Sequence, residues 1–144
     1  MLGERLGIGA GKVTGTRVLP SDGQQVWLEV SIQGEGTLLG QAITLLGTYK
    51  QTLQAGGVLR GEGHVLYMAA DGAIADWVGG GVGQVTGAGF KASYGVYGAF
   101  QSAQGSLTQL TATANIGEYE VEEDGSFSFQ HFAWTGARVT AATR

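Results

Sequence analysis

The chain has 144 residues, a formal net charge of -4, a hydrophobic content of 43% and no cysteine. These values exclude a disordered chain, a nucleic-acid-binding surface of clustered Lys and Arg, and any site that needs a thiolate or a disulfide. The 27 glycines disfavour helices and follow no three-residue collagen period, so we expect one all-β domain over residues 1–144.

The first third of the chain contains three strand signals. An irregular strand, bent at several glycines, is predicted before Pro20. The run from Val26 to Gln33 alternates apolar and polar residues with period two and predicts a second strand. After Gly34-Glu35-Gly36, the β-rich run from Leu38 to Leu53 predicts a third.

Five further strands are predicted along the rest of the chain. They cover residues 58–69, 73–86, 90–101, 107–121 and 126–135. No segment carries the apolar stripe and the capping residues of a helix. The last residues, Ala137–Arg144, are expected to fray.

Glycine pairs mark the turns between these strands. Asp71-Gly72 and Asp124-Gly125 predict two-residue type I′ turns, Gly56-Gly57 a third such turn, and residues 87–89 a three-residue turn. Short sequential turns favour up-and-down connectivity. We therefore predict an antiparallel up-and-down β-barrel of about eight strands, with a β-sandwich as the alternative.

Glycine-rich and aromatic segments form a pattern that covers most of the chain. They are Gly61-Glu62-Gly63, Asp71-Gly72, Asp76 to Gly83, and the hairpin from Glu118 to Gly125. In this pattern the chain resembles small uncharacterised bacterial proteins of the allene oxide cyclase barrel-like group. The resemblance implies a short antiparallel barrel, frequent oligomerisation and, in the enzyme members, cyclisation of a hydrophobic substrate in the lumen. It carries over no catalytic residue, because the water-binding and acidic positions of the cyclases have no match here.

The predicted turns place one group of side chains on a common face of three strands. With two-residue turns, Tyr49 opposes His64 and Gln51 opposes Glu62, and Trp77 shares their face. A face that mixes aromatic and titratable groups is typical of a lumen that binds a ligand.

Glu62 and His64 are the candidate catalytic residues. They lie two positions apart on one strand, so both side chains can reach one substrate. Burial beneath Trp77 would move the pKa values of both groups toward neutrality and permit proton transfer. In the alternative interpretation, Glu62 pairs with Arg60 or faces solvent, and His64 is a surface residue.

The last predicted hairpin is expected to form the side of the lumen opposite these three strands. Alternating glutamates mark its solvent face, so Tyr119 and Trp134 are predicted to point inward, with simple core packing as their alternative role. Phe127 and Phe129 would then share the outer face with the glutamates, which favours a subunit contact there.

Two functions are compatible with these features. The first is binding of a small hydrophobic molecule in the lumen, with or without its cyclisation or isomerisation by Glu62 and His64. The second is a non-catalytic structural or assembly-forming barrel, and a lumen of roughly 300 Å³ or more would favour the first. The candidate ligand-binding residues are Tyr49, Gln51, Trp77, Tyr119 and Trp134.

Expectations about partners follow from the same composition. The two histidines have no metal-ligand spacing around them, so we expect no metal and no other cofactor. No signal peptide or membrane span is expected, which favours a cytoplasmic protein without nucleic-acid or membrane partners. A homo-oligomer is expected, because apolar residues fall on the predicted outer face. These residues are Leu59, Val65, Ile74, Val78, Phe127 and Phe129.

Overall fold

A computed structural model describes residues 1–21, 23 and 25–135 of the chain. Eight antiparallel strands form a closed barrel in which each strand pairs with its neighbours in sequence, and the last strand pairs with the first. This confirms the predicted all-β barrel and excludes the sandwich. The predicted frayed segment, Ala137–Arg144, lies outside the described residues.

The strands are long relative to their connections. They are β1 (Leu2–Val18), β2 (Val26–Leu38), β3 (Gln41–Leu53), β4 (Val58–Ala69), β5 (Ile74–Val85), β6 (Ala92–Ala103), β7 (Ala114–Val121) and β8 (Ser126–Trp134). Two 3-10 segments, Ala55–Gly57 and Gly105–Ala112, connect strands. No helix within the described ranges is both long and apolar enough to cross a bilayer.

Strand β2 continues through glycines that were predicted to end it. A Cβ atom at Gly36 would lie 2.1 Å from the carbonyl oxygen of Ile8, so only glycine permits β1 and β2 to approach this closely. The chain turns later, at Leu39 and Gly40, whose φ angles are 50° and 76°. Positive φ at both central residues is the signature of a type I′ turn.

The two Asp-Gly hairpins contain three loop residues, one more than predicted. The Ala69 amide donates to the Ala73 carbonyl at 2.8 Å, so residues 70–72 form the loop. Gly72 has a φ of 89°, and the Asp71 carboxylate accepts the Ala73 amide at 2.9 Å. The hairpin around Asp124 has the same geometry, with Gly125 at a φ of 87°. A three-residue loop that ends on a left-handed glycine is the G1-bulge hairpin.

The other two predicted turns are also longer than expected. The Gln54 amide donates to the Val58 carbonyl across Ala55–Gly57, where a two-residue turn was predicted. The Thr86 amide donates to the Lys91 carbonyl, which leaves four loop residues where three were predicted.

These loop lengths invert the predicted faces of β4 and β8. Val65 opposes Trp77 across β4 and β5, and Phe129 opposes Tyr119 across β7 and β8. Side chains alternate along a strand, so a register shift of one residue moves every side chain to the opposite face. The predicted inward faces of β3, β5 and β7 are correct, whereas those of β4 and β8 are wrong.

A 3-10 helix covers one end of the barrel. Residues 107–112 were predicted to begin a strand, but Gly105–Ala112 form this helix and pack against β5 and β6. Leu107 and Leu110 are fully buried in the core. Their spacing of three residues is one 3-10 turn, so both point to the same side of the helix and cover the apolar interior.

Candidate binding site in the barrel lumen

Inward-facing glycines make room for aromatic rings inside the barrel. A Cβ atom at Gly79 would lie 2.5 Å from the Trp77 ring, and one at Gly83 would lie 2.4 Å from the Tyr94 ring. Both rings therefore cover stretches of wall that carry no side chain. This arrangement fits large aromatic groups into a lumen of only eight strands.

The lumen contains a cavity of about 90 Å³. This is well below the roughly 300 Å³ that was expected to favour ligand binding over a filled barrel, so the lumen does not hold a drug-sized ligand. Because a cavity of about 150 Å³ holds benzene, the space suits a molecule of a few non-hydrogen atoms. The side chains that border it include Ile32, Leu45, Tyr49, Gln51, Val65, Tyr67, Trp77, Tyr94, Val96, Tyr119, Phe127, Phe129 and His131.

Three tyrosines meet in the half of the lumen away from the 3-10 helix. Tyr49, Tyr94 and Tyr119 come from β3, β6 and β7, and their ring centroids lie 5.2 to 6.4 Å apart. The hydroxyl oxygens of Tyr49 and Tyr119 are 3.2 Å apart and share a hydrogen bond. The Tyr94 hydroxyl donates to Gln51 Oε1 at 2.7 Å. Each of the three residues is largely buried but keeps a part of its surface exposed, so solvent reaches this end of the lumen.

Burial keeps the three tyrosine hydroxyls protonated. It is the main cause that raises the pKa of Tyr49, Tyr94 and Tyr119 above the ordinary tyrosine range. The proximity of Tyr119 raises the pKa of Tyr49 further, whereas the hydrogen bond shared with Tyr49 partly lowers the pKa of Tyr119. The cluster therefore acts at neutral pH as a set of neutral hydrogen-bonding groups.

His131 lies deeper in the lumen and is only 5% exposed. Its Nε2 atom shares a hydrogen bond of 3.2 Å with the Tyr67 hydroxyl, and its ring packs against Trp77 and Phe129 at centroid distances of 5.7 and 5.3 Å. Burial lowers the pKa of His131 to about 4. The imidazole is therefore neutral at physiological pH.

A second polar pair lies behind the Trp77 ring. The Trp77 indole donates to Asn115 Oδ1 at 2.9 Å, which fixes the orientation of this amide. Asn115 Nδ2 and His131 Nδ1 are buried and have no hydrogen-bond partner among the residues that the structure describes. The deep part of the lumen thus retains unused hydrogen-bonding capacity.

Four of the five predicted ligand-binding residues face the cavity. Tyr49, Gln51, Trp77 and Tyr119 all border it. Trp134 lies on the outer face and is 48% exposed, so the prediction that it points inward is wrong. The cause is the three-residue loop around Asp124, which shifts β8 by one position relative to β7.

The predicted catalytic pair does not meet Trp77 inside the barrel. Glu62 is exposed and sits between the inward-facing Gly61 and Gly63, so its side chain points outward although its residue borders the cavity wall. The His64 side chain is 62% exposed, and its ring bonds to the Asp76 carboxylate on the outer surface. The predicted convergence of Glu62, His64 and Trp77 is therefore wrong, because the loop at residues 70–72 turns this face of β4 outward.

The same inversion brings residues into the lumen that were predicted outside. Phe127 and Phe129 are buried among the core aromatics, so they cannot form the predicted subunit contact. Leu59 and Val65 likewise face inward.

Tyr67 and His131 were missed as site residues, although the sequence contained a signal that places His131 in the lumen. On β8, the polar residues Ser126, Ser128 and Gln130 alternate with the buried Phe127 and Phe129. This alternation alone assigns the phenylalanine face, which includes His131, to the core. For β8, this alternation predicts the inward face more reliably than the assumed turn length does.

The described residues contain no group of three or more His, Asp or Glu side chains that could hold a metal ion. The polar chemistry of the lumen comes from hydroxyl, amide, indole and neutral imidazole groups.

Comparison with known proteins identifies the fold only. No protein-family model and no curated protein matches the sequence. A conserved protein of unknown function from Rhodopseudomonas palustris has a similar structure, with a TM-score of 0.76 and 12% identity over 93% of this chain and 99% of that chain. A protein of unknown function from Clostridium acetobutylicum has a TM-score of 0.76 and 10% identity over 92% and 98% of the two chains.

Proposed function

We propose that the protein binds a small, largely apolar molecule in the lumen of the barrel. The observation that carries this proposal is a cavity of about 90 Å³ bordered by aromatic rings, with a few polar groups converging from different strands. Apolar walls with a few placed polar groups are typical of small-molecule sites. The cavity size favours a ligand of about four non-hydrogen atoms, or a longer one that projects past the tyrosines.

The two ends of the barrel define the route of entry. Leu107 and Leu110 cover one end and are fully buried, whereas Tyr49, Tyr94 and Tyr119 are partly exposed toward the other. A ligand that enters past the tyrosines meets hydroxyl groups first and the Trp77 ring deeper in the lumen.

Membership of the allene oxide cyclase barrel-like group remains part of this proposal, as does a cytoplasmic location. If the ligand is also cyclised or isomerised, Glu62 and His64 are poorly placed for the reaction because both are exposed on the outer face. Proton transfer inside the lumen would fall to the neutral His131 and the Tyr67 hydroxyl, which share a hydrogen bond at the cavity.

Isobutene is a suitable probe for binding, because it is apolar and has four non-hydrogen atoms. We expect an NMR titration of the full chain to perturb the amide signals of lumen residues. Val65→Phe should abolish these shifts by filling the cavity from β4. Leu66→Phe, at the neighbouring outward-facing position, should leave them unchanged. An isobutene titration without shifts in lumen residues would favour a filled, non-catalytic barrel.

The alternative of an assembly-forming barrel is favoured by a separate observation on the outer surface. Val78, Ala99, Ala114, Trp134 and Leu2 form one row across five adjacent strands. Tyr97, Ile116 and Phe132 form part of the next row, and the Tyr97 residue is 58% exposed. A contiguous apolar patch of this kind is rare on monomers and suits self-association with a second copy.

Sedimentation velocity tests this assembly. We expect the wild-type chain to sediment as an oligomer at micromolar concentration, and Ile116→Lys, at the centre of the patch, to convert it to a monomer. Thr37→Lys, on the outer face of β2, is the matched control and should remain oligomeric. A monomeric wild type would exclude this assembly without affecting the lumen proposal.

A further inference from the structure

Each hydroxyl hydrogen of the tyrosine cluster can be assigned to an acceptor or identified as unused. Tyr94 uses its hydrogen in the bond to Gln51 Oε1. Tyr49 and Tyr119 have two hydroxyl hydrogens between them, but the bond that joins their oxygens uses only one. Among the described residues, neither hydroxyl makes a further hydrogen bond within the distance and angle limits of a normal bond, although the Tyr94 hydroxyl is close enough to Tyr49 to influence its pKa. One hydrogen of this pair therefore lacks a partner at normal hydrogen-bond distance and is available to a ligand.

The charges around the cluster determine what kind of acceptor can use that hydrogen. Among the described residues that border the cavity there is no Lys or Arg, and the one imidazole, that of His131, is neutral. A carboxylate in this space would lose its hydration without gaining a cationic partner from these residues, and an ammonium group would meet no acidic side chain that points inward from them. A neutral oxygen avoids both costs.

We propose that the lumen recognises a neutral molecule through a carbonyl-type oxygen, which accepts the free hydroxyl hydrogen of the Tyr49–Tyr119 pair while the apolar remainder of the ligand packs against Trp77. This inference rests on the proposed lumen binding and adds the class of ligand. Aldehydes, ketones and esters of small size belong to this class, whereas free acids and amines do not.

Three probes of nearly equal shape separate these classes. Acetone, isobutene and acetate each place four non-hydrogen atoms in a plane, but only acetone is a neutral molecule with an acceptor oxygen. Their Kd values for the full-length protein at pH 7 can be measured by the same NMR titration. We expect acetone and isobutene to bind and acetate to bind at least tenfold more weakly than acetone.

Tyrosine variants test the hydrogen count directly. The measured quantity is the ratio of acetone affinity to isobutene affinity, which cancels general changes in the lumen. Tyr49→Phe and Tyr119→Phe should each lower the ratio by less than the double variant, because one hydroxyl hydrogen remains in each. The double variant should lower the ratio about tenfold, which corresponds to one lost hydrogen bond. Tyr97→Phe, on the outer face, is the control and should leave the ratio unchanged.

The possible failures are distinct. Isobutene binding with an unchanged ratio in the double variant would overturn the carbonyl inference and leave the lumen proposal intact. Acetate binding as tightly as acetone in the wild type would also overturn it, without the need for any variant to fold. Absence of binding by both isobutene and acetone would overturn both proposals.

Discussion

The two histidines of this protein lie on opposite faces of the same barrel wall and differ in almost every physical property. His64 on β4 is largely exposed and bonds to the Asp76 carboxylate, whereas His131 on β8 is buried between aromatic rings and bonds to the Tyr67 hydroxyl. His64 was assigned to the wrong face by turns taken to be one residue too short, and the same error turned outward the face of β8 that carries Phe127, Phe129 and His131. The inner or outer environment of a strand residue therefore depends on loop length as much as on the strand itself.

Substitution of the two tryptophans should show the largest difference in stability between the inner and the outer face. Trp77 is 6% exposed and donates to Asn115, so Trp77→Ala is expected to lower the free energy of unfolding by about 4 kcal/mol. Trp134→Ala removes a half-exposed outer side chain and should cost below about 1 kcal/mol in a monomeric sample. Urea denaturation measures both values, and equal losses would contradict the assignment of faces.

Acid titration should reveal the buried imidazole of His131. The folded-state pKa of His131 is about 4, below its unfolded value near 6.5, so the folded state resists protonation of this residue. Stability is therefore expected to fall as the pH decreases from 6.5 toward 4, by roughly 3 kcal/mol in total, and His131 adds no further loss below that range.

A variant identifies the source of this pH dependence. His131→Phe removes the titrating group and should flatten this part of the stability profile. Thermal unfolding at half-unit pH intervals provides the measurement. A His131→Phe profile that stays as steep as that of the wild type between pH 6.5 and 4 would contradict the burial of a neutral imidazole.

A loop variant tests the left-handed glycine in the hairpin between β4 and β5. Gly72 has a φ of 89°, which side chains adopt at a cost, so Gly72→Ala should destabilise the protein by about 1 kcal/mol. Gly95→Ala is the control, because a Cβ there meets no atom within 4 Å and φ lies outside the left-handed range. This control should be neutral or slightly stabilising. A neutral Gly72→Ala would argue against the left-handed conformation of Gly72.

The barrel itself was predictable because its evidence is spread along the whole chain. Alternating strands, glycine turns and the absence of helical stripes all point to the same architecture, so an error in one turn does not alter it. The inward faces of β3, β5 and β7, with Tyr49, Trp77 and Tyr119, were also correct.

The catalytic assignment failed because it depended on a single local choice. Asp-Gly fits both a two-residue type I′ turn and the last two positions of a three-residue G1-bulge loop, and these differ by one residue in register. Glu62 and His64 were therefore placed inside. The polar alternation of Arg60, Glu62 and His64 on β4 already favoured an outer face.

Other differences reflect contacts between segments distant in sequence. Gly36 stays within β2 because β1 approaches it too closely for a side chain, and this approach is not visible in β2 alone. The helix at Gly105–Ala112 covers the end of a barrel that exists only after the strands have assembled. Local sequence propensity predicts neither the close approach of β1 to β2 nor the helix at the end of the barrel.

The pairing of β1 with β8 has a consequence for the order of folding. Seven pairings in the barrel join consecutive strands, but this one brings Leu2 beside Trp134 and so closes a loop that spans nearly the whole described chain. The entropy lost on closure increases with loop length, and contacts between distant residues slow the crossing of the folding barrier. We therefore expect the seven consecutive pairings to form first as an open, curled sheet, with the β1–β8 seam joining last.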